Sequence, residues 1–159
     1  MKIGIIGPSR LKEFYKIDEI TKIIAELKHE IVLTPDIGST SEYFAKKYLN
    51  EGGKKVYGII PLDDKEFGYS WINLSLGENI NCGTWRNQPE KLNEECDVLL
   101  CLGYSAGGLA EIAYTKWFPK GKAKKPVYIV KELVSGKLPL EIDLDLRYIS
   151  INEIENILK

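Results

Sequence analysis

Residues 103–111 have the types and the spacing to bind an anion and to place one acid beside it. They follow an apolar run, residues 98–102, with the length of a buried parallel strand. A glycine-rich turn between a strand and a helix leaves backbone N–H groups unpaired where the helix dipole favours an anion. Helical side chains lean toward the amino end, so Glu111 should overhang the same turn. An acid that only suits the dipole is an equal alternative for Glu111. The predicted phosphate-binding residues of this turn are Gly103, Tyr104, Ser105, Ala106, Gly107 and Gly108.

The same turn matches the G-x-S-x-G nucleophile elbow of serine hydrolases, with Ser105 as the nucleophile. That triad needs a histidine after the serine, whereas the only histidine, His29, precedes it. His29 is predicted at the opposite edge of the sheet, roughly 17 Å away along a five-residue strand. A nicotinamide-binding G-x-G-x-x-G is also absent after the first strand, where Pro8 removes an N–H group. Both enzyme classes are therefore disfavoured.

Apolar periodicity predicts strands that alternate with helices along the chain. Such a pattern gives an α/β fold with three layers and a parallel sheet, because crossovers between parallel strands need helices on the faces. We predict the strand order 3-2-1-4-5 plus a sixth strand, so that the first and fourth strands open a ligand crevice at their carboxyl ends. Residues 62–84 are predicted to form a long surface loop with a short strand near residues 79–82. The predicted strands are residues 2–6, 30–34, 55–60, 98–102, 127–130 and 148–149.

The predicted helices lie between these strands. A capping-box pattern at residues 39–42 opens the second helix and glycines at 52–53 end it. Residues 89–96 are predicted to form the third helix and residues 152–158 the last. The helix after the glycine turn is predicted to bury Leu109, Ile112, Ala113 and Trp117.

The crevice edge should collect the turns that follow strands and the starts of helices. Asp36 is assigned to the same edge as Glu111, but the spacing does not show whether the two carboxylates meet. An arginine at this edge could hold a phosphate through paired hydrogen bonds. The basic runs at residues 54–55 and 120–125 fall at the opposite edge and are predicted to be solvated loops. The further predicted residues of the crevice edge are Gly7, Pro8, Ser9, Arg10, Gly38, Ser39 and Arg86.

Length and composition indicate one domain over residues 1–159, because 159 residues with 44% hydrophobic content suffice for a single core. A formal net charge of −1 gives no electrostatic reason to expect nucleic acid or a membrane as partner. Since no apolar run approaches the ~18 residues of a membrane span, a cytoplasmic location is expected. The three cysteines lack C-x-x-C spacing, so neither a metal site nor a disulfide framework is expected.

Several segments together resemble the LOG-like (Lonely Guy) family, whose members are often labelled lysine decarboxylases. They are K-I-G-I-I-G-P-S-R, N-E-G-G-K-K-V-Y-G-I-I-P, W-R-N, L-G-Y-S-A-G-G-L-A-E-I and K-K-P-V-Y-I-V. The resemblance covers residues 1–130. It implies a Rossmann-like nucleotide-binding fold, usually in a homodimer. In active members it implies a phosphoribohydrolase that splits a nucleoside 5′-monophosphate into base and ribose 5-phosphate.

The family motif P-G-G-x-G-T-x-x-E is similar to residues 103–111, in which Gly107 and Glu111 match. Gly108 stands where the family has a threonine that holds phosphate, and Tyr104-Ser105 replace two glycines. The glycine triplet that the family carries after the second strand is missing.

The resemblance implies two catalytic residues, Glu111 and Arg86. Glu111 would stabilise the positive charge that develops on the ribose and position water, while Arg86 and the turn amides would hold the phosphate. The altered glycine motifs favour an alternative, a nucleotide-derivative sensor or binding protein without catalysis. Both readings predict a small-molecule nucleotide as ligand, no cofactor and a homo-oligomer.

Overall fold

A seven-stranded parallel sheet forms the centre of the molecule. The computed structural model describes residues 1–10, 12–117 and 125–159. The sheet has the order β4-β3-β2-β1-β5-β6-β7. This confirms the three-layer α/β fold, and β3-β2-β1-β5-β6 is the order predicted for the five main strands. The strands are β1 (Lys2–Ile6), β2 (Glu30–Leu33), β3 (Val56–Ile60), β4 (Glu78–Asn81), β5 (Val98–Cys101), β6 (Val127–Val130) and β7 (Leu146–Ile149).

Helices cover both faces of this sheet, which explains why every residue of β5 is buried. Residues of α1, α2 and α5 pack in one hydrophobic cluster with one face of the sheet. Residues of α3 and α4 pack in a second cluster against the other face. The helices are α1 (Phe14–Glu26), α2 (Thr40–Asn50), α3 (Gln88–Glu95), α4 (Ala106–Ala113) and α5 (Ile151–Leu158).

The predicted start and end of α2 are confirmed. The Ser39 hydroxyl accepts a hydrogen bond from the Glu42 amide at 3.2 Å, and the Glu42 carboxylate accepts one from the Gly38 amide at 2.8 Å. These bonds satisfy one amide of the first helical turn and one amide just before the helix. Gly52, with a φ of +77°, ends the helix, because a residue with a Cβ rarely adopts this backbone conformation.

One prediction about secondary structure needs correction. The buried side of α4 is not the whole predicted apolar stripe, because Leu109 is 39% exposed and Trp117, beyond the helix, is 67% exposed. Ile112 is buried as predicted, and the other buried residues of the helix are Gly108 and Glu111. The short strand predicted near residues 79–82 is present as β4, which pairs with β3 and forms one edge of the sheet.

Two further predictions concern the position of His29 and the basic run at residues 120–125. His29 bonds the Leu158 carbonyl at 2.6 Å, and its other ring nitrogen lies 3.5 Å from the amino terminus. It is therefore at the amino edge, opposite Ser105, as predicted. Most of the run at residues 120–125 lies outside the described residues.

Within the described ranges no helix is both long enough and apolar enough to cross a lipid bilayer.

Candidate functional site

The loops that leave β1 and β5 touch at the carboxyl edge of the sheet. The two strands are hydrogen-bonded neighbours, with Ile6 opposite Cys101. Beyond them, a Cβ atom added to Gly103 would lie 2.9 Å from Cγ of Pro8, and Gly103 itself has a φ of +146°. Only a residue without a side chain permits this approach. The crevice therefore opens where the sheet order changes direction, as in other doubly wound folds.

Two cavities lie along this crevice and meet at Ser9 and Ser105. The larger cavity, of about 600 Å³, lies between the loops that follow β1, β5 and β6. The smaller one, of about 260 Å³, lies between the loop that follows β2 and the starts of α3 and α4. We call this smaller cavity the acidic cavity, because Asp36 and Glu111 line it. The larger cavity is lined by Pro8, Ser9, Arg10, Lys12, Glu13, Thr40, Leu102, Gly103, Tyr104, Ser105, Glu132, Leu133, Val134 and Ser135. The acidic cavity is lined by Gly7, Ser9, Thr34, Asp36, Ser39, Ser41, Trp85, Gln88, Pro89, Ser105, Gly107, Gly108, Ala110 and Glu111.

The amino end of α4 lies at the junction of the two cavities. Ser105 is its N-cap, and the serine hydroxyl accepts a hydrogen bond of 3.1 Å from the Gly108 amide. Among the described residues, the amides of Ala106 and Gly107 have no acceptor. A Cβ atom on Gly107 would meet nothing within 4 Å. The first turn therefore presents two free N–H groups and a hydroxyl hydrogen at the positive end of the helix dipole, which suits an anion.

Gly108 packs tightly, in contrast to Gly107. A Cβ atom on Gly108 would lie 2.9 Å from Cγ2 of Ile6 and 3.2 Å from the Ser105 hydroxyl. The LOG-like motif has a threonine at this position. Here a side chain larger than that of glycine would collide with β1. The Ser105 hydroxyl is the one side-chain hydroxyl that this helix start supplies.

Glu111 and Asp36 meet in the acidic cavity. Glu111 is 9% exposed, and its Oε1 accepts a 2.7 Å hydrogen bond from Nε2 of Gln88. Burial raises the pKa of Glu111 to about 7, and the negative charge of Asp36 raises it in the same direction. Burial also raises the pKa of Asp36 to about 6. Both carboxyl groups thus titrate close to neutral pH, in a range where proton transfer is accessible.

Hydrogen bonds between α3 and α4 hold Glu111 in place. Nδ2 of Asn93 donates to the Glu111 carbonyl and to the Pro89 carbonyl, at 2.9 Å each. Nζ of Lys125 donates to the carbonyls of Asn93 and Cys96 at the end of α3. These contacts fix the helix that carries Gln88, so the position of the Glu111 carboxylate is set before any ligand binds.

Most of the predicted crevice residues line one of the two cavities, with three exceptions. Gly38 and Ala106 line neither cavity, and the Gly38 amide already bonds Glu42. Arg86 also lines neither cavity. Its side chain is 81% exposed and lies 3.5 Å from Glu66, in the loop between β3 and β4. The structure therefore does not bring Arg86 and Glu111, the predicted catalytic pair, into the same cavity.

Gln88 and the loop after β6 are among the lining groups that were not predicted from the sequence. Gln88 is the first residue of α3, and residues 132–135 follow β6. The rule that strand ends and helix starts share the crevice edge applies to both of them. In the part of the chain that the structure describes, no three His, Cys, Asp or Glu side chains form a group that could hold a metal ion.

Comparisons with solved structures identify proteins of the same fold. A molybdenum cofactor (Moco) carrier protein from Chlamydomonas reinhardtii aligns with a TM-score of 0.75 and 18% identity, over 99% of this chain and 94% of that protein. A molybdenum cofactor binding protein from the phototrophic bacterium Rippkaea orientalis aligns with a TM-score of 0.71 and 17% identity, over 99% and 97% of the two chains. No protein-family model and no curated protein matches the sequence. At these identities the likeness concerns the backbone, and the chain shares its Rossmann-like α/β fold with these two proteins.

Proposed function

We propose that the chain binds a phosphorylated small molecule, such as a nucleoside 5′-monophosphate, and holds it without cleaving it. One observation carries this proposal: the hydroxyl of Ser105 lies where the two cavities meet, and the free amides of Ala106 and Gly107 follow it in the first turn of α4. If a phosphate binds there, the organic group attached to it can extend into one of the two cavities. Two proteins of the same fold are named as a carrier and a binding protein for a cofactor, which is a role of the same kind.

The charges in the larger cavity support an anionic ligand. Arg10 and Lys12 line it, and neither side chain forms an ion pair with another described residue. An unpaired guanidinium can make paired hydrogen bonds to a phosphate. Glu13 and Glu132 also line this cavity. The Glu13 carboxylate lies 3.3 Å from Nζ of Lys16, and Oε1 of Glu132 accepts a hydrogen bond from the Ile151 amide at 3.1 Å, so both acids already have partners in the protein.

Binding is tested by calorimetric titration of the intact chain with nucleoside 5′-monophosphates and with the corresponding nucleosides. We expect the monophosphates to bind and the nucleosides to bind at least about tenfold more weakly, because charge-assisted hydrogen bonds contribute about 1.5–3 kcal/mol. Equal affinity for nucleosides and monophosphates would exclude a phosphate at the amino end of α4.

Hydrolysis of the N-glycosidic bond is a second candidate, and the position of Glu111 favours it. A buried acid with a pKa near 7, facing a second carboxyl group, suits acid–base chemistry on a glycosidic bond. The exposed position of Arg86 weighs against it, since no arginine is then left beside Glu111. Release of free base from the bound monophosphate, lost in Glu111→Gln, would establish hydrolysis. Binding without release would leave the carrier role.

We also propose that residues 1–159 fold as one domain and that the domain associates into a homo-oligomer, as the family resemblance implies. One domain predicts a single cooperative unfolding transition. Light scattering of the purified chain measures the molar mass, and a monomer mass would exclude the oligomer.

A further inference from the structure

Three side chains of the acidic cavity carry unpaired hydrogen-bond acceptors, beside the free amide of Gly107. Gln88 is 6% exposed and uses both hydrogens of its amide, donating to Oγ1 of Thr34 at 2.8 Å and to Oε1 of Glu111 at 2.7 Å. Its own carbonyl oxygen and the second oxygen of Glu111 have no partner among the described residues. Oδ1 of Asp36 is buried and is also unpartnered there. Three side chains therefore present acceptors to the same space.

Among the described residues, no cationic side chain of this cavity pairs with these acceptors. No lysine, arginine or histidine is among its lining residues, and the serine and threonine hydroxyls that line it do not bond Asp36. A buried acceptor without a donor costs about 1–3 kcal/mol, so a ligand that supplies N–H groups would bind favourably.

Size and shape indicate a ring as the group that enters. A volume of about 260 Å³ is below the range of pockets that hold whole drug-sized ligands, so this cavity fits one part of a molecule. Trp85 gives it an aromatic wall, and a second indole, Trp71, stacks on Trp85 with a centroid distance of 5.4 Å. Planar heterocycles pack well against such walls.

We propose that the acidic cavity binds the aminopyrimidinone edge of a heterocycle, where a ring N–H and an amino N–H lie side by side, as in guanine. Carboxylates accept such hydrogen bonds, and the side chains of Asp36 and Glu111 both line this cavity. The phosphate of the same molecule would lie at the amino end of α4, at the mouth of the cavity. The inference rests on the proposed function and specifies the class of ligand. Burial raises the pKa of both Asp36 and Glu111, and N–H donors would stabilise their ionised forms.

The experiment compares guanosine and inosine 5′-monophosphates by calorimetric titration of the intact chain at pH 8. The two ligands differ only in the amino group of the pyrimidinone edge. We expect the guanosine nucleotide to bind at least about tenfold more tightly, because a site that pairs with an N–H group rejects the analogue that lacks it. Asp36→Asn should remove this preference, and inosine monophosphate, which keeps only the ring N–H, should lose less affinity than the guanosine nucleotide. Asp63→Asn is the matched control, since Asp63 is exposed and bonds Asn81 outside the cavity.

The outcomes separate this inference from the proposed function. Equal binding of the two nucleotides to the unsubstituted chain overturns the aminopyrimidinone assignment and leaves phosphate binding in place. A preference for guanosine monophosphate that persists in Asp36→Asn also overturns the assignment. Absence of binding by either nucleotide, with thermal unfolding of the chain unchanged by both, overturns the proposed function and this inference together.

Discussion

Nε2 of Gln88 donates a 2.7 Å hydrogen bond to Oε1 of Glu111, joining the first residue of α3 to the second turn of α4. The same helix pair is joined a second time, by Asn93 and the Glu111 carbonyl. One carboxylate oxygen of Glu111 is thus held by the protein and the other is left for a ligand. Because both helices are anchored against β1 and β5, the acidic cavity is formed in the free protein.

The buried acid should make stability depend on pH. The folded chain keeps the Glu111 proton up to about pH 7, whereas the unfolded chain releases it near the ordinary pKa of 4.5. Glu111 therefore contributes stability below pH 4.5 that is lost as the pH rises through 7. Relative to Glu111→Gln, the free energy of unfolding of the unsubstituted chain should fall by on the order of 3 kcal/mol between pH 4 and pH 9. Urea unfolding at a series of pH values measures this difference.

Glu153 provides a control of opposite sign. The Ser150 amide and hydroxyl donate to its carboxylate and lower its pKa, so its contribution is present at neutral pH and is lost as the pH falls. The difference between the unsubstituted chain and Glu153→Gln should therefore increase with pH. A pH-independent difference for Glu111→Gln would contradict the burial of an ionisable carboxyl group at this position.

Two adjacent glycines of α4 should respond oppositely to alanine. The Cβ of Gly107→Ala enters open space, so the free energy of unfolding should stay the same or rise by up to about 1 kcal/mol. The new methyl group stands beside the free amides, so binding of a nucleoside monophosphate should weaken. Gly108→Ala should lower the free energy of unfolding by about 1–3 kcal/mol, because its Cβ collides with Ile6. Thermal unfolding and ligand titration of both variants check this, and equal destabilisation by the two would refute it.

Gly103 should be required for the contact between the two crevice loops. Gly103→Ala combines a strained φ of +146° with a Cβ placed 2.9 Å from Pro8, and we expect a loss of about 1–3 kcal/mol in stability together with weaker ligand binding. Gly136→Ala serves as the control, since its Cβ would meet no atom within 4 Å. Chemical denaturation of the two variants gives the comparison, and similar midpoints would argue against the close approach.

The two arginines of the crevice edge should differ in their effect on binding. Arg10 lines the larger cavity, so Arg10→Ala should weaken binding of a monophosphate by about tenfold and reduce its salt dependence. Arg86→Ala should change the affinity by less than about twofold, because this side chain is exposed beside Glu66. Calorimetric titrations at two salt concentrations test both. A larger loss for Arg86→Ala would restore the catalytic pair that the family resemblance implies.

Long, uniformly apolar segments made the fold predictable. Residues 98–102 are apolar without interruption, which is typical of a central parallel strand, and β5 is such a strand. The buried face of α4 was predicted only in part, because the periodicity argument counts only apolar residues. The buried positions Gly108, Glu111, Ile112 and Thr115 have helical spacing, but only one of them is a large apolar residue. A buried acid in a stripe cannot be recognised from hydropathy.

The site was predictable as an edge of the sheet but not as a set of contacts. The turn after β5 and the turn after β1 were assigned correctly to one edge, because parallel strands end there together. The hydrogen bond between Gln88 and Glu111 joins residues 23 positions apart on two helices, and the approach of Asp36 to Glu111 joins the loop after β2 to α4. Such distances in sequence leave no periodic signal, so only the folded structure reveals these pairs.

Ser105 caps α4 and also stands at the junction of the two cavities. Replacing it would shorten the helix and remove the anchor for a ligand at once, so this position has little freedom to diverge. The walls farther from Ser105 are formed by Asp36 in the acidic cavity and by residues 132–135 in the larger cavity. These residues lie in loops and do not cap α4. Homologous chains could therefore differ in the ligand that they accept by varying those walls while the central serine stays unchanged.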